Sequence, residues 1–221
     1  MQEKQNQERE CNTIVQVSGI LEKDFEFSHY VYGEKFYKNR IKVRRLSGVE
    51  DYIPIIVSKL LIGDNLYVPF SGYVKVKGSF RSYNRYGDDA KNHLEIFLFA
   101  TSIDFCETKE EHEEYLNQNI IYLRGFICKK PIRRQTPLGR EITDCLVAVN
   151  RPYNKSDYIP CIVWGRKSLF ASNLEIGDEI ELYGRIQSRE YLKEVSPYSN
   201  ETEKRVTYEV SVNELTKIGW M

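Results

Sequence analysis

Along most of the 221 residues, apolar and polar positions alternate over stretches of strand length and not at helical spacing. Such stretches fall near 13–21, 35–46, 52–58, 72–83 and 93–103, and again near 119–127, 140–150, 158–164, 178–191 and 206–216. They are rich in Val, Ile, Tyr and Phe and are punctuated by Gly and Asn-rich turns, which favours strands over helices. The main helix predicted is 166–175, RKSLFASNLE, closed by Gly177. Its counterpart at 59–71 holds Gly63, Asp64 and Pro69, so a loop or single turn is expected there. The acidic stretch TKEEHEEYLNQ, 108–118, reads as a solvated charge run.

The pattern repeats. DYIPIIV at 51–57 returns as DYIPCIV at 157–163, an offset of 106 residues. The same offset pairs Gly19 with Gly125, Gly33 with Gly139, Arg45 with Arg151, Gly78 with Gly184 and Ser82 with Ser188. The chain is therefore read as a tandem duplication: a disordered tail 1–11, a first domain 12–105, an acidic linker 106–118 and a second domain 119–221. Five antiparallel strands with a helix between the third and fourth describe the OB-fold, a small Greek-key barrel. The expected fold class is all-β, two tandem OB-folds.

Charge changes the picture only when partitioned. The formal net charge is zero, but residues 12–105 carry +2 and residues 117–221 carry +3, with the tail and linker supplying the balance. Both folded parts are mildly basic, which permits a polyanionic partner without requiring one. The five cysteines form no C-x-x-C pair and no metal-ligand spacing with the three histidines, so free thiols and no metal or other cofactor are expected. With no apolar h-region at the start and no apolar run long enough to span a bilayer, the expected location is cytoplasmic. No phosphate-binding loop, H-E-x-x-H or G-x-S-x-G is present, and the strands carry few carboxylates, so no enzyme is expected.

Candidate chemistry lies on strand faces. As a strand, DYIPCIVWG puts Tyr158, Ile162 and Trp164 on one side and Ile159, Cys161 and Val163 on the other, toward a core. In GRIQSREY, residues 184–191, the side chains of Arg185, Gln187, Arg189 and Tyr191 share a face. Flat rings beside arginines suit single-stranded nucleic acid, because bases stack on the rings while cations follow the phosphates. In the first domain Ser79, Arg81, Tyr83 and Arg85 share a strand face, and Arg40, Lys42 and Arg44 lie opposite Ile41 and Val43.

The second domain resembles the bacterial single-stranded DNA-binding protein family. The residues that carry the resemblance are NIIYLRG at 119–125, Pro131, Arg134, Thr136, Pro137, Gly139, LVAVNR at 146–151, DYIPCIVWG, the glycine of IGDEIELYGR and GRIQSREY. The resemblance implies that Tyr153, Tyr158, Trp164 and Tyr191 stack on bases. Arg124, Arg151, Arg185 and Arg189 are the candidate cations beside them. The first domain keeps Tyr52 but has Ser58 in place of Trp164 and Ser47 in place of Tyr153. Its candidates are Tyr52, Arg81, Tyr83 and Arg85. Family members end in an acidic tail that recruits enzymes, and this sequence stops after NELTKIGWM, so recruitment by that route is not expected.

Two functions compete at this stage. One is sequence-independent binding and protection of single-stranded DNA in replication, recombination or repair, with RNA as a further candidate ligand. The other is a primosome-type protein-interaction scaffold with weak nucleic-acid binding. Most members of the family resembled carry one OB domain per chain and work as tetramers, and two fused barrels need only one two-fold axis to present the same four, so the resemblance implies a homodimer.

Overall fold

A computed structural model describes residues 12–66, 72–86, 92–106, 118–194 and 202–219. The expected disordered tail and nearly all of the expected acidic linker lie outside these residues. The first half contains β1 (Thr13–Leu21), β2 (Glu26–Val31), β3 (Glu34–Arg44), β4 (Glu50–Ser58), α1 (Lys59–Ile62), β5 (Tyr73–Tyr86) and β6 (Asn92–Phe105). The second contains β7 (Asn119–Ile127), β8 (Ile132–Gln135), β9 (Glu141–Arg151), β10 (Lys155–Trp164), α2 (Arg166–Ser172), β11 (Glu179–Glu194) and β12 (Thr202–Lys217).

Each half closes into a barrel. β1 pairs with β5 along most of its length and reaches β3 at Ile20 and Leu21, while β4 and β6 pair in parallel. In the second half β7 pairs with β11 and reaches β9 at Phe126 and Ile127, and β10 and β12 pair in parallel. The bend that lets one strand serve two neighbours explains the repeated glycines. A Cβ on Gly19 would lie 2.2 Å from the Lys42 carbonyl oxygen, and one on Gly125 would lie 2.5 Å from that of Ala148. Gly78 and Gly184 sit at bulges where the facing carbonyl oxygen leaves no more room.

β2 and β8 are additions to the five strands expected in each half. They form hairpin arms with β3 and β9 outside the closed barrels. All four residues of β8 and five of the six in β2 are exposed, so neither shows an apolar alternation. The helix after β10 is shorter than expected, ending at Ser172, and the segment after β4 is the single turn anticipated. Core residues alternate along the strands: Ile53, Ile55 and Val57 in β4 recur as Ile159, Cys161 and Val163 in β10, all essentially inaccessible.

The barrels are joined through their first strands. β1 and β7 pair antiparallel, Val15 opposite Ile121, so the twelve strands among the described residues form one continuous sheet. Val15 and Ile121 are themselves equivalent positions in the repeat, so the junction has a local two-fold axis between them. Two reciprocal clasps repeat across it. Asp51 of β4 is buried, pairs with Arg45, and accepts hydrogen bonds from Ser188 of β11 through its backbone N–H (2.7 Å) and its hydroxyl (3.1 Å). Asp157 of β10 is equally buried, pairs with Arg151 at 3.0 Å and accepts the backbone N–H of Ser82 of β5 at 2.7 Å. The Ser82 hydroxyl in turn accepts the N–H of Tyr158 at 2.8 Å.

Candidate functional site

β10 presents its outer face as the sequence suggests, with one exception. Tyr158 is 42 % exposed and Trp164 half-buried, its indole N–H donating to Ser211 Oγ of β12 at 3.0 Å. Ile162, expected on the open face between them, is buried. Cys161–Val163 are flanked by β12 on one edge and β9 on the other, whereas at Tyr158 only β9 is paired. Tyr153 stands at the turn between β9 and β10, 93 % exposed and with φ of 64°. A bulky residue in that left-handed region is uncommon, and here it projects a ring clear of the barrel.

β11 divides its candidates between several roles. Gln187, expected on the open face, is buried and donates to Glu209 Oε1 at 2.7 Å. Arg189 is about half exposed, lies 3.5 Å from the same glutamate and has its guanidinium 6.0 Å from the Tyr191 ring. Tyr191 lies past the barrel on the extended hairpin of β11 and β12, where it lines a groove facing the first barrel. Arg185 is half-buried near Arg45 and Asp51. Burial, and then the Arg45 charge, hold its guanidinium below the usual range.

Three further arginines are engaged by groups within the chain. Arg151 is committed to Asp157 in the clasp, with its side chain 27 % exposed. Arg81 comes from the first barrel to the same place. Burial and the Arg151 charge lower its pKa, while burial raises that of Asp157 against the opposing pull of the Ser82 N–H and both arginines. Arg124 is tied to Glu179 at 2.9 Å on the β7–β11 face, beside Tyr122 and Tyr183, whose rings are 5.0 Å apart.

The first barrel keeps aromatic character by a different route. Ser58 replaces Trp164, and its hydroxyl caps α1 at Leu60 N–H. In the neighbouring strand Phe99 holds the register that Ser211 holds in the second barrel: Ile56 faces Phe99 as Ile162 faces Ser211. Large and small have changed places between adjacent strands. Phe36 packs at 5.6 Å on Phe99, His29 stacks on Phe36 at 5.2 Å, and the Arg81 guanidinium lies 4.0 Å over Phe99. The signal was present in the sequence: in β6 Phe97 and Phe99 alternate with inward Ile96, Leu98 and Ala100. Tyr52 lies with the Arg40 guanidinium 5.8 Å from its ring, Tyr83 is 59 % exposed, and Arg85 pairs with Glu95 at 2.6 Å.

Among the described residues no group of three or more His, Cys, Asp or Glu side chains is placed to hold a metal ion. The arrangement offers stacking surfaces and cations, and the buried Asp51 and Asp157 serve the junction.

Comparison with known proteins matches residues 118–218 to the single-strand binding protein family. A single-stranded DNA-binding protein 2 of Listeria innocua is 35 % identical over 80 residues, covering 33 % of this chain and 50 % of the relative. A single-stranded DNA-binding protein of Halalkalibacterium halodurans is 34 % identical over 80 residues, covering 33 % and 48 %. The chain thus spans about half the length of the curated relatives it matches. The wild-type single-stranded DNA binding protein from Thermus aquaticus superposes with a TM-score of 0.72 at 19 % identity, covering 95 % of this chain and 94 % of that one. That likeness extends over both barrels and supports the two-OB-fold architecture.

Proposed function

We propose that this chain, whose residues 118–218 match the single-strand binding protein family, binds single-stranded DNA without sequence preference and shields it during replication, recombination or repair. The observation that carries the reading is the outer face of β10, where Tyr158 and Trp164 offer rings on the barrel that matches that family. Stacking tolerates any base, since each has a π-face, and single-stranded DNA-binding proteins are the standing example of such platforms. Tyr153 and Arg189 extend the face. Tyr52, Tyr83 and Arg85 are weaker contributors in the first barrel. Arg124, Arg151, Arg185 and Arg81 serve chiefly to hold the barrels, since each meets a carboxylate or a buried clasp. The activity is binding, without catalysis.

Two copies are proposed to associate through the outer face of β1 and β7. There Ile14 and Ile120, equivalent in the repeat, are each 54 % exposed beside Tyr183. A second two-fold axis through that face would bring four barrels together. No helix among the described residues is long and apolar enough to cross a membrane, which is compatible with a cytoplasmic site of action.

The test is a titration with oligothymidylate followed by tryptophan fluorescence. Quenching that disappears in Trp164→Phe supports the reading, and unchanged emission at saturating oligonucleotide overturns it. Competition with oligouridylate decides between DNA and RNA.

A further inference from the structure

The two rings of the β10 face are held in different ways. Trp164 is fixed within its own barrel, by the bond from its indole N–H to Ser211 of β12. Tyr158 is not. β9 runs along one edge of β10 throughout, but β12 pairs on the other edge only at Cys161–Val163. Along that second edge every other residue turns its N–H outward. Pro160 has none to offer, so the next donor beyond the β12 contact is that of Tyr158. Its acceptor comes from the first barrel: the Ser82 hydroxyl of β5, at 2.8 Å.

Ser82 grips the same place twice. Its backbone N–H donates to Asp157 Oδ1 at 2.7 Å, one residue before the ring. The equivalent clasp across the junction differs in one bond. Ser188 also gives its N–H to an aspartate, Asp51, but its hydroxyl donates to that same carboxylate at 3.1 Å. Removing either hydroxyl therefore takes one hydrogen bond from the junction. Only at Ser82 does that bond end on the backbone of a residue that carries a candidate stacking ring.

We propose that Ser82 of the first barrel is a positioning residue for strand binding by the second, holding the Tyr158 backbone so that its ring stands where a base can lie on it. A binding side chain has to be kept close to its productive geometry by the groups behind it. The Tyr158 N–H lies at the surface, where water can replace the hydroxyl, so its loss costs little in folding and shows in how the ring is held. The inference rests on the reading of the chain as a single-strand binder. It gives the first barrel a part in binding that requires no contact with the nucleic acid.

The test measures binding of a labelled oligothymidylate of about 8 nucleotides, within the span of one barrel, by fluorescence anisotropy. The full chain is compared with Ser82→Ala, Ser82→Thr and Ser188→Ala, each also in a Tyr158→Ala background, and urea unfolding reports stability. Ser82→Ala is expected to bind about fivefold more weakly, the net worth of one hydrogen bond. Ser82→Thr keeps the hydroxyl and should bind within about twofold of the unaltered chain, as should Ser188→Ala despite a similar loss in urea. With Tyr158→Ala present, Ser82→Ala should change affinity by less than about twofold, since no ring is left to place. Ser82→Val, which has threonine's shape without its hydroxyl, repeats the comparison if the alanine variant does not fold. Unchanged binding in Ser82→Ala, or equal weakening with and without the Tyr158 ring, overturns the positioning role while the single-strand reading stands. An equal loss of affinity in Ser188→Ala assigns the effect to a loosened junction and overturns it as well. If the unaltered chain does not bind the oligonucleotide, both fall.

Discussion

Asp51 of one barrel accepts the backbone N–H of Ser188 of the other at 2.7 Å, although 137 residues separate them. Asp51 is wholly buried, and its charge is matched by Arg45. Removing one partner of such a pair strands the other, at a cost of about 3–5 kcal/mol. Asp51→Ala should lose stability on that scale in urea unfolding. Ser188→Ala, which keeps the backbone N–H, should lose only about 1 kcal/mol. A loss below 1 kcal/mol for Asp51→Ala would show that the clasp does not hold the junction.

Tyr158 and Trp164 are expected to matter for binding and not for folding. Each stacking ring is worth roughly 1–3 kcal/mol by alanine substitution. Tyr158→Ala and Trp164→Ala should therefore weaken strand binding by about that amount and leave the circular dichroism spectrum intact. If both variants unfold, the rings belong to the core.

Arg189 and Arg151 should part company in salt. Arg189 is about half exposed, and Arg151 is locked to Asp157. Arg189→Ala should flatten the log–log salt dependence of binding by about 0.7, the slope that one neutralised phosphate contributes on a single strand. Arg151→Ala should leave the slope alone and lower the unfolding midpoint. The reverse pattern would exchange their roles.

The thiols give a test by pH. Burial pushes Cys145 up to about 12 and Cys161 well above its ordinary value. Neither should react with iodoacetamide at pH 8 in the folded chain, and both should react in denaturant. Above about pH 9 the unfolded chain loses these protons first. Stability should then fall by about 1.4 kcal/mol per pH unit per thiol until the folded value is reached. Rapid native alkylation of Cys161 would contradict its burial.

Light scattering during size-exclusion chromatography should give about 52 kDa, twice the 26.1 kDa of one chain. Ile14→Glu/Ile120→Glu should return it to one chain. A clean single-chain mass for the unaltered protein at micromolar concentration would overturn the dimer.

The repeat made the barrels legible, because strand alternation and glycine register are local and survive divergence. The hairpin arms β2 and β8 were not legible, since solvated strands leave no apolar period to read. Ile162 was misplaced because alternation assigns a side chain to a face and does not say how much of that face is covered. The repeated Arg45 and Arg151 show a further limit. Recurrence says that both copies need the residue, and only the tertiary structure shows that each serves the contact between copies. The exchange of Trp164 and Ser211 for Ser58 and Phe99 was hidden because it couples positions on strands that meet only in space.

The two-fold relation at Val15 and Ile121 has a directional consequence. A polynucleotide has a 5′ and a 3′ end, and a two-fold axis lying across its route reverses the sense in which equivalent surfaces meet it. A strand that crossed both barrels by equivalent contacts would have to double back between them. A chain whose two halves differ is released from that requirement. Each half could then fit the polarity it meets, and a strand bound across both barrels would not need to double back.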